Sequence, residues 1–288
     1  MRYDPTMRAT AIVRLQLEND MAGVIANHQL RLVYQPVVEL ETDRIVGFEA
    51  LLRWDHPELG TVAPERFIPI AEETGMIIPI GEWVLDHACA TAAEWIARHQ
   101  VPLTMAVNIS ARQLGSPDLV DQVRRALRTT GLEPRSLVLE LTESVLMLDT
   151  DATVARLERL RTLGIRIAIA DIGAGYSSLS YLRHLPLDIL KIDRSFVDNL
   201  DASNTEFVST ILRLSRSLGL SVVAEGIETD TELEVLTALG CELGQGFLYA
   251  QPMGREDIRR HLERQVAPAG NTSEQLLASE RAGRPAAR

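Results

Sequence analysis

Short apolar runs alternate along this chain with longer stretches of helical period. The strand-like runs are 30–38 (LRLVYQPVV), 44–52 (RIVGFEALL), 103–109 (LTMAVNI), 136–141 (SLVLEL), 165–171 (IRIAIAD), 187–192 (LDILKI), 220–225 (LSVVAE) and 243–248 (LGQGFL). Between them the spacing predicts helices near 81–99, 118–130, 150–163, 205–218 and 230–239, a shorter one near 177–184, and another over about 254–265. At the front, Ile12, Leu15, Leu17, Met21, Val24 and Ile25 recur at mostly helical spacing, which predicts an amphipathic helix over 9–27. Near-continuous apolar strands suit a sheet buried on both faces. Their alternation with helices implies right-handed crossovers between parallel strands. Seven or eight such units over roughly 240 residues fit a closed barrel better than an open sheet, which would carry GxGxxG after its first strand. Only residues 39–43 separate the first two runs, too few for a helix, so that pair must be antiparallel.

The expected fold is therefore α/β: a TIM-like (β/α)8 barrel with an irregular, antiparallel first strand pair. Residues 1–27 form an N-terminal helix leading into the domain, 28–266 the barrel, and 267–288 a disordered tail without sustained period. The balance of 29 Lys+Arg against 40 Asp+Glu, a net charge of −11, argues against a nucleic-acid polymer or an anionic membrane face as partner. A phosphate ligand stays compatible with that charge if divalent cations stand between. Two cysteines, Cys89 and Cys241, make no disulfide framework and read as small core residues in a reducing compartment. No apolar run reaches membrane-spanning length, and the first residues lack a signal-peptide core, so a cytoplasmic location is expected.

The polar residues carry the functional signal. Strand after strand ends in a carboxylate, amide or amine: Glu49, Asn108, Glu140, Asp171, Lys191 and Glu225, with Gln245 inside the last run. Singly, each carboxylate reads most simply as a helix cap or a solvated rim residue. In a barrel, however, these strand ends converge on one mouth. Several carboxylates gathered there cost roughly several kcal/mol unless a cation neutralises them. Oxygen donors without Cys or His partners select Mg2+ or Mn2+ over zinc or copper. Lys191 would orient a water or stabilise a phosphoryl oxygen; a Schiff-base lysine is the rival reading, less suited to an acidic metal cluster.

These residues also spell a family. Glu49-Ala50-Leu51-Leu52-Arg53 resembles the signature of EAL domains, which hydrolyse cyclic di-GMP to linear pGpG. The neighbouring text is similar too: YQPVVEL at 34–40, RWDHPELG at 53–60, VNIS at 107–110, ELTE at 140–143, LPLDILKIDRSFV at 185–197, VVAEGIET at 222–229 and QGFLYAQPM at 245–253. The resemblance covers about residues 10–262. It implies a two-metal phosphodiesterase in which Glu49, Asn108, Glu140, Asp171 and Glu225 hold Mg2+ or Mn2+. Lys191 and Asp193 would position the attacking water, with Glu225 and Gln245 also at the catalytic centre. Gln35, Leu52, Arg53, Glu228, Phe247 and Pro252 would contact substrate, and Glu143 would steady the loop after Asp171. It further implies a homodimer, and a diguanylate-cyclase-like or sensor domain upstream in a longer parent.

One position departs from the family. Where the motif reads DDFGTGYSSL, this chain reads ADIGAGYSSL from Ala170. Ala170 occupies the place of the metal-bridging aspartate, and a methyl group cannot ligate a cation. Two-metal occupancy and turnover are expected to fall severely while dinucleotide binding survives. The alternatives are a non-catalytic cyclic di-GMP receptor or, more remotely, a scaffold with a vestigial site.

Overall fold

A computed structural model of the chain describes residues 5–142, 150–172, 184–198 and 200–266. The expected helix at 177–184 and the expected tail at 267–288 lie outside these residues except for His184. The leading helix α1 (Pro5–Met21) precedes strands β1 (Leu30–Glu39), β2 (Arg44–His56) and β3 (Gly60–Val62). Helices α2 (Pro64–Thr74) and α3 (Ile77–His99) follow, then β4 (Thr104–Asn108), α4 (Ala111–Gly115) and α5 (Leu119–Thr130). The second half runs β5 (Leu137–Thr142), α6 (Thr150–Thr162), β6 (Arg166–Ile172), β7 (Ile189–Ile192), α7 (Arg194–Val197), α8 (Ala202–Leu218), β8 (Ser221–Ala224), α9 (Asp230–Ala238), β9 (Leu243–Gly244) and α10 (Arg255–Val266).

The sheet runs β1-β9-β8-β7-β6-β5-β4-β2 and closes through a second pairing of β1 with β2, giving an eight-strand mixed barrel; β3 hangs on β2 as a hairpin. From β2 through β4 to β9 every neighbour pair is parallel, whereas β1 is antiparallel to both β2 and β9. The short 40–43 connection thus has the consequence expected of it.

Alternation along each strand sends successive side chains to opposite faces. Ala106, Val138, Ala168, Ile189 and Val223 meet inside the barrel, with Val37 and Leu243 packed against them. Outward-facing residues join a larger apolar core under the helices. Aromatic contacts fix β2 in this scheme. Phe48 meets Trp95 of α3 edge-on at 4.9 Å, and Trp54 meets Phe67 of α2 at 5.6 Å. Each such pair adds about 0.5–1.5 kcal/mol beyond burial. With Phe48 held outward, its neighbour Glu49 faces in.

Gly246, just past β9, allows the last strand to close on its neighbour. A Cβ there would overlap the backbone of Ile227. The approach lets Ile227 N–H donate to the Gln245 carbonyl at 3.2 Å and Leu248 N–H to the Ile227 carbonyl at 3.0 Å.

Both cysteines are buried and free. Burial pushes the Cys89 thiol up to about 12 and the Cys241 thiol up to about 11. Neither forms appreciable thiolate at neutral pH, so an aromatic disulfide reagent should label the two thiols only after denaturant is added; rapid labelling of the native protein would contradict this burial. Gly246→Ala should cost about 2–3 kcal/mol in urea unfolding, the usual scale of an overpacked backbone contact. An unchanged midpoint would mean that the 245–248 segment shifts freely.

Candidate active site at the carboxyl ends of the strands

Two strand residues above the apolar layer, the inward positions change character. Continuing the alternation from Ala106, Val138, Ala168, Ile189, Val223 and Leu243 gives Asn108, Glu140, Ala170, Lys191, Glu225 and Gln245. Glu49 lies opposite Gln35 across the antiparallel pair, and Asn108 is in register with Glu140. The inner wall therefore has an apolar layer below and a polar layer above. Within the polar layer Ala170, 7% exposed, is the apolar member.

Lys191 organises this layer. Its ammonium, on a residue 2% exposed, donates to Glu140 Oε2 at 2.7 Å and to Glu49 Oε2 at 3.0 Å, and lies 2.5 Å from Glu225 Oε1. Glu49 also accepts from Gln245 Nε2 and from Asn108 Nδ2, both at 2.7 Å. These contacts join side chains from β2, β4, β5 and β7 with those of the residues just beyond β8 and β9.

The electrostatics follow from these bonds. Desolvation pushes the Glu140 carboxyl up to about 8, with repulsion from Glu49 and Glu225 adding to it and Lys191 opposing it. Desolvation also acts on Glu49, but Lys191, Gln245 and Asn108 outweigh it and hold that carboxyl below its ordinary value. Of these two acids Glu140, with fewer donors, keeps its proton to higher pH. Lys191 loses by desolvation and gains more from Glu140, Glu225 and Glu49, so it stays charged well above its ordinary value.

The other expected residues divide into two groups. Gln35 is buried, and its amide donates to the Ala250 carbonyl at 3.3 Å. Leu52 and Pro252 are partly buried and Phe247 is 49% exposed. Arg53 donates to its own neighbour's carbonyl at 2.8 Å, and burial together with Arg31 lowers its pKa. Glu228 is exposed and pairs with Arg194 at 2.9 Å. Asp193 caps α7, accepting from Ser195 N–H at 2.9 Å and from the Ser195 hydroxyl at 2.5 Å. Glu143 and the side chain of Asp171 lie outside the described residues. The backbone there carries a bulge: β6 to β7 register steps from Ile169↔Leu190 to Ile172↔Ile192, so Ala170 and Asp171 together oppose Lys191.

The sequence reading did not single out Arg194. Its stem crosses Gly226, whose φ of 77° and missing Cβ leave room for it, and its guanidinium holds Glu228 and Asp198. The available signal was its place beside Asp193 in KIDRSF.

Hard oxygen donors dominate the layer, and Gln245 Oε1 is buried without a hydrogen-bond partner, an acceptor suited to a water or hydrated ion. This donor set fits Mg2+ or Mn2+. Among the described residues, however, no three His, Cys, Asp or Glu side chains surround a point open for an ion, because the Lys191 ammonium stands among the carboxylates.

Comparison with known proteins agrees with this architecture. The EAL domain model matches residues 16–252. The bifunctional diguanylate cyclase/cyclic di-GMP phosphodiesterase MucR of Pseudomonas aeruginosa is 46% identical over 258 residues, covering 89% of this chain and 38% of MucR. The cyclic di-GMP phosphodiesterase NbdA of the same organism is 44% identical over 249 residues, covering 86% of this chain and 32% of NbdA. The chain thus spans about a third of the length of these curated relatives. Among solved structures, the PaMucR phosphodiesterase in complex with c-di-GMP superposes with a TM-score of 0.81 at 47% identity, covering 84% of this chain and 99% of that one. The Klebsiella pneumoniae BlrP1 calcium/cy-diGMP complex gives 0.69 at 31% identity, with coverage of 78% and 56%. The matched span, the mixed barrel with its antiparallel first pair, and relatives that are cyclic di-GMP phosphodiesterases make this chain a member of the EAL domain family.

Proposed function

We propose that this chain is a cytoplasmic cyclic di-GMP phosphodiesterase domain, built for two-metal hydrolysis to linear pGpG, that binds the dinucleotide and turns it over poorly. The observation that carries this reading is the polar layer: inward positions from seven strands or strand ends supply Gln35, Glu49, Asn108, Glu140, Lys191, Glu225 and Gln245, and Ala170 interrupts them. Glu49, Asn108, Glu140, Glu225 and Asp171 would hold Mg2+ or Mn2+. Bound there, the ions would supply positive charge to a phosphodiester oxygen and acidify a water for in-line displacement.

The chain's own residues would do the rest. Lys191 would turn from the carboxylates toward the water or the phosphate, and Gln245 would orient through its free oxygen. Arg53 would approach a phosphate, and the exposed Phe247 ring, with Gln35 and Pro252, would border a guanine. Glu228, fixed by Arg194, and Leu52 would frame the ligand. Asp193 would act from its cap position, through Lys191's neighbourhood. A homodimer and an upstream regulatory domain complete the proposal; the relatives are longer than this chain.

One observation favours a second reading, a receptor without turnover. Lys191, the amides of Asn108 and Gln245 and the raised Glu140 carboxyl together balance much of the layer's charge without a metal. Ala170→Asp separates the readings. Assayed with cyclic di-GMP and Mn2+ and resolved by chromatography, the variant should form pGpG at least ~100-fold faster than the parent, the scale of restoring a metal-site group. Undiminished binding with no product from either protein would overturn the enzymatic reading in favour of the receptor. Lys191→Met should lower the metal-free stability by about 3–5 kcal/mol in urea, because it leaves buried carboxylates unpaired. A loss below ~1 kcal/mol would show that Lys191 is not what neutralises them.

A further inference from the structure

The barrel has a second end, opposite the mouth, where the parallel strands begin. Beneath the polar layer lies a cavity of about 260 Å³ with walls that include Val37, Ala106, Val138, Ile189 and Val223. Glu140 and Lys191 border it above, and Arg44 and Arg166, each the first residue of its strand, border it below. Thr104, Pro102 and Arg166 also line an adjoining groove of about 930 Å³ between the ends of α3, α5 and β5, so Arg166 stands between cavity and groove. The cavity is roomy enough for several waters, yet its walls offer them few polar partners.

The arginines at the floor are incompletely engaged. Arg166 donates from Nε to the Arg135 carbonyl at 3.0 Å, and its terminal nitrogens have no hydrogen-bond partner among the described residues. Asp188 stands nearby, but its Oδ2 accepts the Ile167 N–H at 2.9 Å. Arg44 reaches Glu39 at 3.4 Å. A partly buried guanidinium with free donors asks for an oxyanion, and the wall above asks for hydrocarbon.

We propose that this cavity binds a medium-chain monocarboxylate of about eight carbons, its carboxylate on Arg166 and Arg44 and its chain along the apolar layer toward Lys191. The lengths agree: four residues of tilted strand from Arg166 to Ala170 rise about 10–11 Å, the reach of about eight carbons. Inorganic phosphate would satisfy the floor alone and leave the wall empty. A dicarboxylate would bring a second negative charge under Glu140. A bound chain would fill the free space below Glu140 and Lys191, linking the far end of the barrel to the underside of the polar layer.

The proposal is independent of the catalytic reading, and its test needs no substrate. Calorimetric titration of the metal-free protein with butanoate, hexanoate, octanoate and decanoate should show affinity rising about fourfold per methylene up to octanoate and levelling beyond it. Arg166→Gln should weaken octanoate about tenfold or more, the scale of one charge-assisted pair. Ala106→Leu, which fills the wall, should abolish the dependence on chain length. Where Ala106→Leu does not fold, methyl NMR of the parent replaces it, and octanoate should give nuclear Overhauser contacts to Val138, Ile189 and Val223. Equal affinity across the series, octanoate binding unchanged in Arg166→Gln, or no contact to those methyls would each overturn the proposal.

Discussion

A single ammonium group, that of Lys191, makes the upper half of this barrel possible. Glu49 and Glu140 are buried and Glu225 is nearly so, and three carboxylates this close would repel one another in a medium that screens poorly. Lys191 lies within 3.0 Å of an oxygen from each. One positive charge against three negative ones is still insufficient. The remainder is met by the amides of Asn108 and Gln245 at Glu49 and by the rise of the Glu140 carboxyl to about 8, which leaves that acid largely protonated at neutral pH. The layer thus holds together without a metal by distributing charge unequally: Glu49 takes the donors and Glu140 takes the proton.

The period of the strands turns that local balance into a site. Alternation fixes which residues face in, and parallel order brings the carboxyl ends of β2 and β4 through β9 to the same side. The antiparallel β1 enters from that side, so its inward Gln35 comes opposite Glu49 midway along the strand, while its far end pairs with β9 at the level of the apolar layer. Gly246 completes the ring by admitting the backbone of Ile227, which draws Gln245 to within 2.7 Å of Glu49. The aromatic contacts of Phe48 and Trp54 work from outside, holding the strand that carries Glu49.

Much of this was legible in the chain. The strand expected at 44–52 begins at Arg44, those expected at 136–141 and 165–171 are observed one residue later, and helices at 118–130 and 205–218 lie within three residues of the observed bounds. Legibility followed burial: strands apolar on both faces have one reading, and polar residues at their ends stand out. It failed where local chemistry and tertiary contact disagree. Helix α2 was not expected; Pro69 stands inside it, and its support comes from burying Phe67, Ile70 and Ala71. The last strand was expected over 243–248 but pairs only at Leu243–Gly244, because the chain then turns to meet Ile227. Among site residues, spacing identified Lys191 but not its three simultaneous partners, two of which, Glu49 and Glu140, come from strands more than fifty residues away in sequence. Nothing in the spacing showed that Asp193 would cap α7 or that Arg194 would hold Glu228.

Ala170 acquires its meaning from the same charge balance. On the proposed reading, an aspartate at 170 would add a carboxylate to a layer that one lysine and one protonated glutamate barely neutralise. At roughly several kcal/mol for each unpaired buried charge, such a layer would depend on divalent cations for its stability as well as for chemistry. With alanine the cations would lack that ligand, and the layer would carry one charge fewer for them to neutralise. On that reading the substitution would act twice in one direction: it would weaken metal binding at the site and leave undisturbed the contacts of Lys191 with Glu49, Glu140 and Glu225, the arrangement a metal would have to displace.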